Sequence, residues 1–246
     1  MKRKSHCIGL FISLLFVGAC ASGGTATTSQ VNPESNLASA AEEMPRWSCT
    51  PSNTSAAPSD GLLADFSANK DGAGSASAGV PGKVFTAVPR DSAPGARMTQ
   101  TEEGGKLTIE FNAALHAKTQ YLTAVMLLDR CVDAKGFTGI EFSMAGTLSG
   151  CSLTFAAIDP GHQFYEVGGP YPPQYRISPE DVTASPRTFT ASFSSPDIKG
   201  NPATPADASK LAALQWMAIA PVAPDDGAAV PPCTGKLSID DVKLYR

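Results

Sequence analysis

The amino-acid sequence predicts an all-β domain in which many short strands form a sandwich or a barrel. The clearest strand signal is the run 106–111, in which polar and apolar residues alternate strictly. A two-residue period is typical of a strand with one buried face. Turn-forming pairs such as Gly104-Gly105 and Pro160-Gly161 separate the runs, and the 20 prolines of the chain argue against long helices.

Other runs follow the same logic. We predict further strands in five places: 121–128, 140–144, 153–155, 189–193 and 211–220. The first and last of these are continuously apolar, as expected for central strands, whereas the other three alternate. The last run is also compatible with a helical turn around 209–214.

The C-terminal strand changes phase in its middle. Leu237 and Ile239 share one phase, Val242 and Leu244 share the opposite phase, and Asp240-Asp241 lies between the two pairs. One extra residue at that point, a β-bulge, would turn both apolar pairs to the same side of the sheet. We therefore expect a bulge at Asp240-Asp241.

The first 19 residues have the three parts of a secretory signal. Lys2-Arg3-Lys4 is positively charged, 8–17 is a short apolar run, and small residues precede Cys20. A spanning helix needs about 20 apolar residues, so this run is too short to be one. Val17-Gly18-Ala19-Cys20 resembles the lipobox of bacterial lipoproteins, which implies that Cys20 is diacylated and becomes the first residue of the mature protein. A plain signal peptide with an accidental Cys20 is the alternative.

The residues after Cys20 indicate a location and a tether. Ala21 is not aspartate, which by the same resemblance implies sorting to the outer membrane. Residues 20–46 are rich in Ser, Thr, Ala, Gly and Asn and hold almost no large apolar side chain. Because such a segment buries too little surface to offset its ordering entropy, we predict a flexible tether. The folded domain is then expected in residues 47–246.

The charge balance argues against two classes of partner. Residues 1–19 hold three basic residues and no acids, so their removal changes the formal net charge from −4 to −7. An acidic chain is poorly suited to bind nucleic acid or an anionic membrane surface. We therefore expect the lipid to provide membrane attachment.

Four cysteines remain after Cys7 leaves with the signal and Cys20 is lipidated: Cys49, Cys131, Cys151 and Cys233. An even number in an oxidising compartment predicts two disulfides, and three pairings are open. We predict Cys131–Cys151, which brackets a strand-rich unit, and Cys49–Cys233, which joins the beginning of the domain to its end. A metal site is the alternative use, although no CxxC spacing supports it.

Segments near the two ends of the domain carry a further signal. Gly61-Leu62-Leu63-Ala64-Asp65-Phe66 and 237–245 look like the opening and closing strands of galactose-binding-like jelly rolls, a fold that carbohydrate-binding modules, including family 11, share. Four internal segments are similar to lipoproteins of the same shape: 131–134, 137–142, 150–153 and Gln215-Trp216. The resemblance covers about residues 49–246. Because such motifs are evidence for a fold more than for a ligand, what they imply is a jelly-roll β-sandwich.

The same resemblance implies a structural calcium ion between the first and last strands. Carried over by position, its ligands are Asp65 with Asp240 or Asp241. Calcium binds six to eight oxygens, mostly from carboxylates and carbonyls, so these acids would form the centre of the set. Ser67 stands where many relatives carry an acid, and the alternative is that Asp65 and Asp240 cap turns or bind backbone amides.

A loop rich in tyrosine and proline is the best candidate for a ligand site. It spans residues 159–176, and its candidate contacts are Asp159, His162, Gln163, Tyr165, Tyr171, Tyr175 and Arg176. Sugar sites combine flat apolar faces with polar groups around the rim. The alternative is a crossover loop whose aromatic side chains pack on the sheet.

Signatures of enzymes are absent from the sequence. It contains no G-x-S-x-G, no H-E-x-x-H and no P-loop motif. We therefore predict a noncatalytic lipoprotein of the outer membrane whose jelly roll binds a glycan or a cell-surface polysaccharide. The second hypothesis is a structural lipoprotein that contacts another envelope protein and has no sugar ligand.

Overall fold

The computed structural model describes residues 49–67, 80, 82–89, 92–116, 118–162, 172–196, 202–225 and 230–246. The predicted signal peptide (1–19) and tether (20–46) lie outside these residues. Within the described ranges, no helix has the length and apolar character that crossing a membrane requires.

Twelve strands form in the described part of the chain. They are β1 (Thr54–Ala56), β2 (Leu62–Ala64), β3 (Gly82–Ala87), β4 (Arg97–Glu103), β5 (Lys106–Ala113), β6 (Gln120–Asp133), β7 (Gly139–Ser149), β8 (Ser152–Ile158), β9 (Tyr175–Ile177), β10 (Arg187–Ser192), β11 (Leu211–Ala220) and β12 (Cys233–Tyr245). All the predicted runs fall on strands, although β10 ends at Ser192. One 3-10 turn, Ala208–Lys210, comes directly before β11. The helical turn considered for 209–214 therefore ends at Lys210, and the strand begins at Leu211.

The strands make two six-stranded sheets. Sheet A has the order β1-β6-β11-β8-β9, with β3 also paired to β6, and sheet B has the order β10-β7-β12-β5-β4, with β2 also paired to β12. When the flanking strands β1 to β4 are set aside, two antiparallel four-stranded sheets remain, with the orders β5-β12-β7-β10 and β6-β11-β8-β9. This order is that of an eight-stranded, two-sheet jelly roll, so the predicted fold class is confirmed.

An aromatic cluster joins the two sheets. Trp216 of β11 is fully buried, and its ring centroid lies 5.2 Å from that of Phe155 and 5.9 Å from that of Phe142. Phe142 belongs to sheet B and also stacks on Phe189 of the same sheet, at 5.8 Å. Buried aromatic groups contribute the largest apolar areas per residue, so this cluster forms the centre of the main core.

The two ends of the domain pair side by side. In sheet B, Val242 of β12 lies opposite Ala64 of β2, and the register of β12 shifts between Asp240 and Lys243. Asp241 has a φ of 50°, in the left-handed region that an unpaired bulge residue can adopt. Val242 and Leu244 point into the core together with Leu237 and Ile239, as the predicted bulge requires.

The predicted disulfide pairing is wrong. The structure pairs Cys49 with Cys131, at a Cα–Cα distance of 5.6 Å, and Cys151 with Cys233, at 5.0 Å. Cys131–Cys151 is excluded because β7 runs between them for 11 residues, and a strand of that length spans about 35 Å. Cys49 and Cys233 do not pair because they have different neighbours: β1, just after Cys49, runs beside Cys131, whereas β12 starts beside Ser149.

Candidate functional site

Sheet A is apolar on both of its faces. One face packs on sheet B, and the other, which we call the outer face, carries a second apolar cluster of Val125, Leu127, Ala156, Ile158 and Ala213. Phe85 of β3 is half-buried against this cluster. All five cluster residues are at most 9% exposed. Sheet B differs, because its outward positions are largely Thr, Ser and charged residues in contact with water.

Polar side chains stand on the outer face among these apolar residues. Gln215 of β11 lies opposite Val125 on one side and Ala156 on the other. Thr154, two residues before Ala156, lies opposite Met217 and opposite Arg176 of β9. Gln215 and Thr154 are 5% and 2% exposed, so both are removed from bulk water.

Gln174 adds a second amide to this face. In β9, Tyr175 lies opposite Phe155, and continuing that register by one residue sets Gln174 beside Ala156. Its backbone N–H donates to the carbonyl of Pro196 at 2.7 Å, whereas its buried side-chain Oε1 has no hydrogen-bond partner. Two glutamine side chains therefore flank the small Ala156, and the Oε1 of Gln174 is buried without a hydrogen-bond partner.

Sequence reasoning did not select these glutamines as contacts. Gln174 was inside the candidate loop, but the tyrosines and charged residues of that loop were favoured. Gln215 is the single polar residue in the run 211–220, which reads as a continuous core strand. That break in an apolar run is the signal by which Gln215 can be found.

The structure separates the predicted ligand contacts into three groups. Gln163, Tyr165 and Tyr171 lie outside the described residues. Arg176 is exposed on the outer face, and Tyr175 is half-buried and packs against the main core.

Asp159 and His162 form the third group. They are 3% and 5% exposed, and their side chains hydrogen-bond to each other and to backbone groups. Their direct contact with a ligand stays a prediction, and in this structure they hold two chain segments together.

The predicted calcium ligands lie close to one another at the β12 bulge. Burial raises the pKa of Asp240, and the charges of Asp241 and Asp65 raise it further, although the backbone N–H of Asp241 and the charge of Lys106 oppose the shift. The Asp65 carboxylate accepts bonds from the backbone N–H of Ser67 at 3.0 Å and from its hydroxyl at 2.9 Å.

These contacts test the fit of calcium to the bulge. A bound cation would stabilise these crowded carboxylates. The Ser67 contacts also show Asp65 capping a turn, which is the alternative role. Among the described residues, no group of three or more His, Cys, Asp or Glu is arranged to hold a metal ion. A calcium ion here would therefore draw most of its ligands from carbonyls and water.

No protein-family model and no curated protein sequence matches the chain. Among solved structures, it is similar to a family 11 carbohydrate-binding module from Clostridium thermocellum in complex with a β-1,3-1,4-mixed-linked tetrasaccharide. The identity is 16%, the TM-score is 0.46, and the match covers 75% of this chain and 94% of that one.

Two more solved structures show a similar arrangement. An exo-β-agarase is 11% identical with a TM-score of 0.41, over 75% of this chain and 24% of that one. The carbohydrate-binding module TmCBM61, in complex with β-1,4-galactotriose, is 9% identical with a TM-score of 0.30, over 66% of this chain and 88% of that one. These similarities concern the fold alone, and the jelly-roll assignment rests on the strand order given above.

Proposed function

We propose that this protein is a noncatalytic lipoprotein whose jelly roll binds a glycan on the outer face of sheet A. The observation that carries the proposal is the unpartnered Oε1 of Gln174, which lies on the same side of β9 as the exposed Arg176. The C–H groups of a sugar ring pack on apolar surface, while its hydroxyls need donors and acceptors at fixed positions. A glutamine amide supplies both a donor and an acceptor.

The energetics favour a ligand that carries hydroxyl groups. An unpaired buried amide costs about 1–3 kcal/mol, because it has lost water without gaining a partner. A sugar hydroxyl that reaches Gln174 Oε1 would supply the missing bond. Arg176, at the exposed edge of the same face, would lie beside such a ligand.

The expected location is the outer membrane, with the lipid on Cys20. Residues 20–46 would then separate the domain from the headgroups. The alternative is a structural lipoprotein that contacts an envelope protein and no sugar.

The glycan proposal predicts that Gln174→Leu binds polysaccharide at least about 10-fold more weakly than wild type, because one bond of roughly 1.4 kcal/mol or more is lost. The same change should leave the melting temperature unchanged or raise it, since leucine removes a buried unpaired oxygen. A panel of soluble polysaccharides in affinity gel electrophoresis, followed by titration calorimetry, measures the effect.

The matched control is Thr108→Val, on the outward face of sheet B, which should bind as wild type does. If wild-type protein binds none of the polysaccharides, the structural lipoprotein is the better account. If it binds one and Gln174→Leu binds it equally well, the sugar lies elsewhere on the domain.

We propose, separately, that calcium binds at the β12 bulge. At a calcium concentration 100 times the dissociation constant, binding would stabilise the fold by about 2.7 kcal/mol, or roughly 5–10 °C in melting temperature. Asp240→Asn should lose this increment, whereas Glu110→Gln, which carries its carboxyl on another strand, should retain it. Equal melting temperatures in calcium and in chelator would dispose of the site.

A further inference from the structure

The outer face of sheet A is more accessible at one end than at the other. Ser152 and Ile219, which lie opposite each other, are half-buried. Ile158 and Ala213, opposite each other at the far end of the same two strands, are fully buried. In the register of β9 with β8, the exposed Arg176 lies two residues from Ser152. Arg176 is therefore beside the part of the face that a ligand can reach.

The outward side of β9 carries one donor group and one acceptor close together. Arg176 presents a guanidinium, and Gln174, just before the strand, presents Oε1, which is buried without a hydrogen-bond partner. The two residues are two positions apart on one side of an extended chain, which sets their Cα atoms about 7 Å apart. Substituents on opposite sides of one pyranose ring have a comparable separation. One sugar residue can therefore reach both side chains.

The guanidinium favours an acidic ligand. It has five N–H donors in a planar fork and no acceptor, a geometry that matches the two oxygens of a carboxylate. Arg176 already has an interaction within the chain, and the number of its donors allows it to bind a ligand at the same time. Hydrogen bonds to an ionised group are roughly twice as strong as those between neutral groups. A sugar that carries a carboxylate should therefore bind more tightly here than its neutral counterpart.

The strands around Arg176 would not repel such a carboxylate. β8, β9 and β11 contain no acidic residue. Thr123 of β6 is in the same row as Arg176, and the first acid of that strand, Asp129, lies six residues further along, about 20 Å away. The whole chain is nevertheless acidic, with a formal net charge of −4. Binding of an acidic polymer would therefore depend on this local contact and not on general attraction.

We propose that the glycan bound on the outer face of sheet A is an acidic polysaccharide. Arg176 binds the carboxylate of a uronic acid residue, and Gln174 Oε1 accepts a hydrogen bond from a hydroxyl of the same ring. This inference rests on the proposed function, because it concerns the ligand of the same face.

The first test compares acidic polysaccharides with their own methyl esters. Polygalacturonate, alginate and hyaluronan are titrated into the wild-type protein beside neutral β-glucans and galactans. At least one acidic polymer should bind, and its methyl ester, which has the same backbone without the charge, should bind at least about 10-fold more weakly. Equal binding of acid and ester, or binding of neutral polymers alone, overturns the acidic ligand and leaves the glycan function standing. Binding of no polymer at all contradicts both.

The second test locates the carboxylate with two matched variants. Arg176→Gln and Arg97→Gln each remove one exposed positive charge, and Arg97 lies on the outward side of sheet B. Arg176→Gln should bind the acidic polymer at least about 10-fold more weakly and the methyl ester as wild type does. Arg97→Gln should bind both as wild type does. Equal losses in the two variants would indicate a general effect of charge, and an unchanged affinity in Arg176→Gln would place the carboxylate elsewhere; either result overturns the proposal.

Discussion

Replacing both Cys151 and Cys233 with alanine is expected to lower the free energy of unfolding by about 4–5 kcal/mol. The disulfide closes a loop of 82 residues, and in the chain-entropy account a loop of that length restricts the unfolded ensemble by this amount. The corresponding fall in melting temperature is roughly 10–15 °C. Calorimetry of the variant against the wild-type protein measures it.

The second disulfide provides an internal control. Cys49–Cys131 also spans 82 residues, and the two loops do not overlap in sequence. If loop entropy dominates, the paired variants should lose similar stability, and their effects should add. A clear inequality would show that native-state contacts matter more, since Cys233 is fully buried whereas Cys49 is partly exposed. Peptide mapping without reductant checks the pairing itself: a Cys131–Cys151 peptide would contradict the structure.

Cys20→Ala is expected to abolish lipid labelling and to move the protein from the membrane fraction to the soluble fraction or to arrest it as an uncleaved precursor. Each buried methylene of an acyl chain contributes about 0.8 kcal/mol, and two chains give stable anchoring where one gives only marginal binding. The acidic mature chain offers no electrostatic attachment to anionic lipid in place of the chains. Labelling with a radioactive or clickable fatty acid in growing cells measures the effect.

Cys7→Ala is the matched control for that experiment. Cys7 lies in the predicted signal peptide, so its replacement should leave labelling and membrane association unchanged. Labelling that persists in Cys20→Ala would contradict the lipoprotein proposal. If both variants lose labelling, the cause is failed export and not the missing lipid acceptor.

Local patterns predicted the elements of this domain well. The alternation around Ile109 places β5, and the change of phase at Asp240-Asp241 places the bulge of β12, because side-chain direction in a strand follows from position alone. Pairing between distant segments has no such local signal. The cysteine prediction failed for this reason, since Cys131 and Cys151 are near in sequence but Cys131 lies in β6, before β7, and Cys151 follows the far end of β7.

The candidate site shows the same division. The loop 159–176 was selected by its composition, and the structure shows Asp159 and His162 buried between chain segments. Gln215 looked like part of a core strand, and only the register of β11 between β6 and β8 shows that it faces away from sheet B. Both outcomes depend on which strands are neighbours.

By itself, the sequence determined the all-β class and the face of each strand that is buried, because these depend on residues within a few positions of one another. The tertiary structure decided the disulfide pairing, the set of side chains on the outer face of sheet A and the closed network around His162. Those depend on sheet order, which brings together residues as distant in sequence as Asp159 and Asp207 and sets Gln215 between Val125 and Ala156.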